Sequence, residues 1–301
     1  MENNLTLEHT ENPAGGCGCA KCAGASAPLG YVYAVGAIEA RFPSLDVEKE
    51  LRQVVTDADT RGISESELLY AVLSRGENLY LAREMCWVFQ IAGVDTYILQ
   101  PRSQVELTDL IAAISPNLTD IEWDIVIGLR GGNAPPQMCN GLELPVAMVN
   151  QVYSFTMTQF IENVPLPRRP GFDPADPNYK ENVKKFREAV AQAFTRMRQL
   201  ADNAGETDEH RALNYVSLRY PNIYSLSYEK ENPGTNPGDP VSSLTGVEVL
   251  PSRLAGARQI KDIVFTFTNR STSVEEKYFT RVDVTGQFPF LVSPLQIFYD
   301  R

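Results

Sequence analysis

Gln259-Ile260-Lys261-Asp262-Ile263-Val264-Phe265-Thr266-Phe267-Thr268, a break at Asn269-Arg270-Ser271, and then Glu276-Lys277-Tyr278-Phe279-Thr280-Arg281-Val282-Asp283-Val284 form the stretch that decides the fold class. Both runs are rich in β-branched and aromatic residues, and the polar break between them is short. They therefore read as two strands of an antiparallel hairpin. Parallel neighbours need a crossover of a dozen or more residues between them, and none fits here. A third strand-like run, residues 246–250, precedes the pair.

Upstream of this sheet, helical and strand-like stretches are mixed. Val183, Phe186, Val190, Ala193, Met197 and Leu200 recur by three and four, which predicts a helix of about six turns. Its outer face carries Lys184, Lys185, Arg187 and Arg198, and the apolar stripe reads as core-facing rather than as a partner-binding seam. A further helix is expected to start near Thr207 and run past Tyr215. Residues 165–177 hold five prolines and read as an exposed linker. Nearer the N-terminus, residues 31–36 read as a strand. Helices follow Asp46, read as an N-cap, and the capping pair Ser64 and Glu67. Residues 86–91 and 96–99, separated by Gly93, read as a hairpin. Ser103 with Glu106 caps another helix, residues 123–128 a buried strand, 129–145 a loop. A strand starts at Val146, and a helix is capped by Thr156 and Gln159. The fold class is α+β, with a mixed, largely antiparallel sheet and packed helices. Residues 30–301 read as one globular domain. Residues 1–29 lack hydrophobic periodicity and read as a disordered Gly/Cys-rich head.

Of the 301 residues, 43% are hydrophobic, enough for a sizeable core without staples. The net charge of −11 argues against nonspecific nucleic-acid binding, which depends on neutralising phosphates, and against docking to anionic membranes. No apolar run approaches the roughly 20 residues of a spanning helix. Met1-Glu2-Asn3-Asn4 does not resemble a secretory signal. Five cysteines, three of them within six residues, do not make a secreted disulfide framework. The expected compartment is cytoplasmic.

Chemistry-bearing residues are few. Only two histidines exist, His9 and His210, and neither a Gly-x-Ser-x-Gly elbow nor a phosphate-cradling glycine loop occurs. Arg130-Gly131-Gly132 reads as a tight turn, with anion binding through its backbone N–H groups as the sharper alternative. Cys17, Cys19 and Cys22 have the density that suits zinc or copper(I), yet a closed zinc site needs a fourth ligand. Cofactors are not expected; zinc is the metal if those thiols bind one. Cys86 sits in an apolar run and reads as a small buried hydrophobe, whereas Cys139, in a Pro/Gly-rich loop, reads as exposed. His210 falls in the first turn of a helix beside Asp208 and Glu209, which suit that positive end. If the chain is an enzyme, Cys139, His210, Asp208 and Arg130 are the residues to suspect.

Five segments together carry a resemblance. They are residues 31–36 with Arg41-Phe42-Pro43-Ser44-Leu45; residues 78–83 with Cys86-Trp87-Val88-Phe89; Pro135-Pro136-Gln137-Met138-Cys139-Asn140-Gly141-Leu142; residues 200–205 through His210-Arg211-Ala212-Leu213-Asn214-Tyr215; and Glu276-Lys277-Tyr278-Phe279 through Tyr299-Asp300-Arg301. In this order they resemble the C-terminal domain, of unknown function, of the cyanobactin maturation proteases, the PatG-like family. In that family the domain sits behind a subtilisin-like macrocyclase. The sequence in hand contains no protease domain and no protease triad, so cleavage and macrocyclisation do not carry over. The resemblance implies a place in the modification of ribosomally made peptides. The expected role is a non-catalytic accessory module that binds a precursor peptide or a modifying enzyme. An enzyme of unrecognised type and a structural or homodimerising domain are the alternatives.

Overall fold

The first strand, β1 (Gly30–Arg41), changes partner along its length. In the computed structural model, which describes residues 30–55, 62–116, 120–199, 203–233, 240–254 and 256–299, the elements that follow it are α1 (Leu45–Val54), α2 (Glu65–Leu73), α3 (Leu79–Glu84), β2 (Cys86–Ile91), β3 (Val94–Pro101), α4 (Gln104–Ala113), β4 (Glu122–Asn133) and β5 (Pro145–Thr156). Then come α5 (Met157–Asn163), α6 (Tyr179–Gln199), α7 (Asp208–Arg219), α8 (Asn222–Glu231), β6 (Ser242–Pro251), β7 (Ile260–Asn269), β8 (Glu275–Asp283) and β9 (Phe290–Ile297). Residues 30–36 of β1 pair with β4, and residues 37–41 pair with β2. The transfer happens at Gly36, where a Cβ would lie 2.0 Å from the Gln90 carbonyl oxygen, so only glycine lets the strands approach.

That switch helps close a five-stranded barrel in the order β1-β2-β3-β5-β4. All pairs are antiparallel except β3–β5. Alternation along each strand sends Val32, Ala34, Trp87, Phe89, Tyr97, Leu99 and Val126 into one buried cluster, which α1–α4 extend with Leu51, Leu69, Val72, Leu81, Leu107 and Leu110. The second sheet, β6-β7-β8-β9, is antiparallel throughout. Its inner face, with Ile263, Phe265 and Phe267, joins Phe186, Val190, Phe194, Met197, Val216 and Tyr224 of α6–α8 in a second core.

The edge of β9 is not open. Its Leu291 N–H donates to the Tyr215 hydroxyl (3.2 Å) and its Leu295 N–H to the Tyr220 hydroxyl (2.7 Å), while Pro294 has no N–H to offer. Two tyrosines at the end of α7 thus occupy groups that would otherwise template another strand.

The α+β class and the β7–β8 hairpin match expectation, as do the capping boxes at Ser64 and Thr156, the Ser103 cap and the core-facing α6. Several readings are corrected. Residues 129–133 are not loop: they continue β4, with Arg130 opposite Ala147. Arg130-Gly131-Gly132 is therefore strand rather than a turn, with a register shift against β5 between Arg130 and Asn133. Ser44, not Asp46, is the N-cap of α1, and Asp46 lies in its first turn. The proline-rich stretch is not wholly exposed, because Phe172 is buried against Phe186 and Tyr228. Arg198 does not lie on the outer face of α6. The barrel, α8 and β9 were not anticipated. Among the described residues no helix is long and apolar enough to cross a membrane.

Candidate functional site

The two cores meet along β1, where residues 203–207 and the start of α7 press against the barrel. The Tyr33 N–H donates to the Gly205 carbonyl at 2.9 Å. Gly205 has φ +78°, and a Cβ there would stand 2.6 Å from Ala34 Cα and 2.7 Å from the Tyr33 oxygen, so neither the dihedral nor the space admits a side chain. Two buried asparagines hold this contact in place. Asn203 Nδ2 donates to Asn214 Oδ1 (3.0 Å), and Asn214 Nδ2 returns a bond to Asn203 Oδ1 (3.1 Å) and donates to the Tyr33 carbonyl (2.6 Å). From the barrel, the Tyr97 hydroxyl donates to the Ala204 carbonyl at 2.9 Å, and burial pushes its pKa above the ordinary phenol value.

Beside this seam lies a cavity of about 550 Å³ lined by Ile91, Ala92, Val94, Thr96, Trp123, Thr195, Arg198, Gln199, Asn203 and Ala204. Arg198 comes from the last turn of α6. Its Nη1 donates to Asn214 Oδ1 (3.0 Å) and its Nη2 to the Val35 carbonyl (2.6 Å), while its Nε is buried without an acceptor. Its guanidinium carbon stands 5.7 Å from the centroid of the Trp123 ring, whose Nε1 is also buried without an acceptor. Desolvation pulls the Arg198 pKa down to about 10, so the group is still cationic at neutral pH.

Trp123 and its neighbour Asp124 point to opposite faces of β4. Asp124 faces a second cavity, of about 570 Å³, between β1 and the ends of α2 and α4. It is 3% exposed, accepts from the Ile38 N–H at 2.7 Å, and takes a short bond from the Ser154 hydroxyl. Ile38 lies just past the residues where β1 leaves β4, so the carboxyl caps a backbone donor that β4 no longer serves. Burial pushes its pKa up to about 7 against the lowering effect of those two hydrogen bonds.

The residues suspected from sequence do not assemble into one site. Cys139 is not an exposed thiol: it is 4% exposed and disulfide-bonded to Cys86. A short helical turn at Pro136–Met138 folds the loop over the outer face of β2 and β3, bringing the two Cα atoms to 5.4 Å across 53 residues. A bonded sulfur is no nucleophile. Arg130 pairs with Glu206 at 2.8 Å. Asp208 pairs at 3.1 Å with the buried Arg211, whose guanidinium also donates to the carbonyls of Val284, Gly286 and Gln287 and so ties α7 to the chain after β8. His210 sits where expected, with its N–H donating to the capping Thr207 hydroxyl at 3.2 Å. Cys17, Cys19 and Cys22 lie outside the described residues. Among the described residues no three His, Cys, Asp or Glu side chains gather as a metal site. Arg198 and Trp123 were missed because nothing local distinguishes them. Asp124 did leave a signal, an acid beside the apolar run of residues 125–128.

Comparison with known proteins bears on this geometry. Residues 31–232, about two-thirds of the chain, match the family described as "PatG Domain". The chain belongs to the PatG domain family. A second match, to "PatG C-terminal", covers residues 180–298. No curated protein matches the chain. A solved structure described as "PatG Domain of Unknown Function" superposes with a TM-score of 0.66 at 18% identity, covering 89% of this chain and 98% of the other. The fold is thus that of a PatG domain, as the resemblance implied. The two matched regions overlap at residues 180–232, which hold α6, α7 and α8. In this PatG domain Arg198, Asn203 and Asn214 belong to the overlap. Trp123 and Tyr33 belong to the first region alone. The seam cavity therefore stands where the barrel meets the helices shared by both.

Proposed function

We propose that this PatG domain is a non-catalytic recognition module in the biosynthesis of ribosomally made, post-translationally modified peptides, and that it binds a segment of the precursor peptide. The observation that carries this reading is the seam cavity. Its size suits one or two side chains, its lining sets Ile91, Val94 and Trp123 beside Arg198 and Asn203, which their own hydrogen bonds hold in place, and no nucleophile paired with a base lines it. Family membership supports the setting. Such a module would act by proximity, raising the effective concentration of precursor near an enzyme bound to the same peptide or tethered nearby.

The test is calorimetric titration of the full chain with precursor peptides of its own pathway, with the mass of each peptide followed in parallel. Saturable binding without mass change, weakened by Trp123→Ala, is the expected result. Failure of every precursor to bind at millimolar concentration would sink the reading. One observation favours a second reading, an enzyme acting on the precursor: Asp124 is a carboxyl poised near neutrality in a cavity, the environment of a general acid or base. A mass change lost in Asp124→Asn would establish it.

A further inference from the structure

We propose that a cavity at the end of β3 binds an acidic peptide segment, whose carboxylates are taken by Arg83 and Arg102. The proposal goes beyond the recognition reading, because this cavity shares no lining residue with the seam cavity. Its volume is about 440 Å³. Arg83 comes from the last turn of α3, residues 100–104 from the corner between β3 and α4, and Met138 from the loop before β5. The buried Met85, Trp87, Leu99 and Leu107 close its floor. Met85 and Met138 each adjoin a half-cystine, so the Cys86–Cys139 bond fixes two walls of the cavity against each other. A wall held in advance loses little freedom when a ligand arrives.

The charges of the wall decide the ligand. The chain has 38 Asp and Glu against 27 Lys and Arg, so carboxylates are plentiful. Arg41, Arg130, Arg169, Arg196 and Arg281 each have one within 3.3 Å. Arg83 and Arg102 are exposed, and neither makes an ion pair among the described residues. Arg168 and Arg253 also lack one, but the seam cavity, the Asp124 cavity and a groove along α6 have a single arginine each in their walls. This wall has two, and no carboxylate. Solvation accounts for Arg83, which suits the negative end of α3. It does not account for Arg102, which immediately precedes Ser103, the N-cap of α4, where the helix dipole repels a cation. The Arg102 guanidinium donates to a neutral acceptor, Asn150 Oδ1, at 2.8 Å. Glu106, in the first turn of α4, accepts from the Ser103 hydroxyl and forms no ion pair with Arg102. Carboxylates supply what both guanidiniums lack. The cavity is larger than one carboxylate fills, and the half-buried Met138 offers an adaptable apolar wall to a neighbouring side chain.

The test is calorimetry on the full chain with three probes: N-acetylated, C-terminally amidated leucyl-glutamyl-glutamyl-leucine, its diglutamine counterpart, and inorganic phosphate. We expect the acidic peptide to bind at least about fivefold more tightly than the neutral one at low salt, and the preference to shrink at about 0.5 M sodium chloride. Arg83→Gln and Arg102→Gln should each reduce the preference about threefold, and the double variant should abolish it. Both side chains are exposed, so the variants should fold, which circular dichroism checks. Equal affinities for the two peptides, no binding of the acidic one at millimolar concentration, or phosphate bound as tightly as the acidic peptide would each overturn the proposal. A preference that survives the folded double variant would overturn it too, and its loss in Trp123→Ala would then assign the peptide to the seam cavity. Failure of every precursor to bind would leave this result standing, because the probe here is a synthetic peptide.

Discussion

Replacing Asp124 with asparagine should make the protein more stable at pH 8 and leave it nearly unchanged at pH 4. In the folded state burial raises this carboxyl to about 7, from 3.8 for an aspartate in water. Between those values the folded state holds a proton that the unfolded state has released. The favourable contribution is therefore fully present below about pH 4 and is lost as pH rises through about 7. A rise of that size corresponds to about 4 kcal/mol, accumulating at up to about 1.4 kcal/mol for each step of one in pH. The group is almost wholly out of solvent, so screening does not discount the figure. Asparagine mimics the protonated form. Its carbonyl can accept from the Ile38 N–H, and its amide can donate to the Ser154 hydroxyl, which reorients freely. Urea denaturation at half-unit steps from about pH 4 to 8.5 should show Asp124→Asn gaining about 2–4 kcal/mol over wild type at the alkaline end and less than about 1 kcal/mol at the acid end. A loss that grows toward the alkaline end would show that the carboxylate charge is stabilising and that the burial argument is wrong.

The seam and the disulfide give two more predictions. Gly205→Ala must adopt a left-handed dihedral and push against Ala34 and Tyr33, so it should cost about 3 kcal/mol in urea denaturation; a loss below about 1 kcal/mol would mean that the seam yields easily. Reducing Cys86–Cys139, or replacing both residues by serine, should cost about 2–4 kcal/mol, since the bond closes a loop spanning 53 residues. Titration of accessible thiols before and after reduction checks that the bond was there, and unchanged stability would refute its role.

What could be read from the sequence was whatever is written within a few residues. The Ser64 and Thr156 capping boxes are reciprocal bonds between a residue and its third neighbour, and the α6 stripe is a period of three and four. The β7–β8 hairpin announces itself through a short polar break. The barrel does not, because its closure depends on a parallel pairing of β3 with β5 and on one strand having two partners. Cys86 looked like a small hydrophobe and is indeed buried; what it bonds to lies in another segment, and no local pattern marks the pairing. Arg198 follows Met197 on a helix whose Lys180, Lys184, Lys185 and Arg187 are exposed, so its composition said solvent. Only the approach of β1 to the end of α6 turns it inward.

The seam also sets an order of events during synthesis. β1 is the first described element to be made, yet its Val35 carbonyl is bonded from 163 residues downstream and its Tyr33 carbonyl from 181 downstream. Neither acceptor can find its native donor until α6 and α7 have left the ribosome. Until then the barrel is without its buttress, and the outward-facing Tyr33, Val35, Ile125 and Ile127, which later form a buried cluster, are open to solvent and to other chains. Contacts of such span make a chain slow to fold and prone to aggregate while it waits. A truncation that stops before α7 would present that sticky face permanently, so the first half of this chain should need the second half beside it to remain soluble.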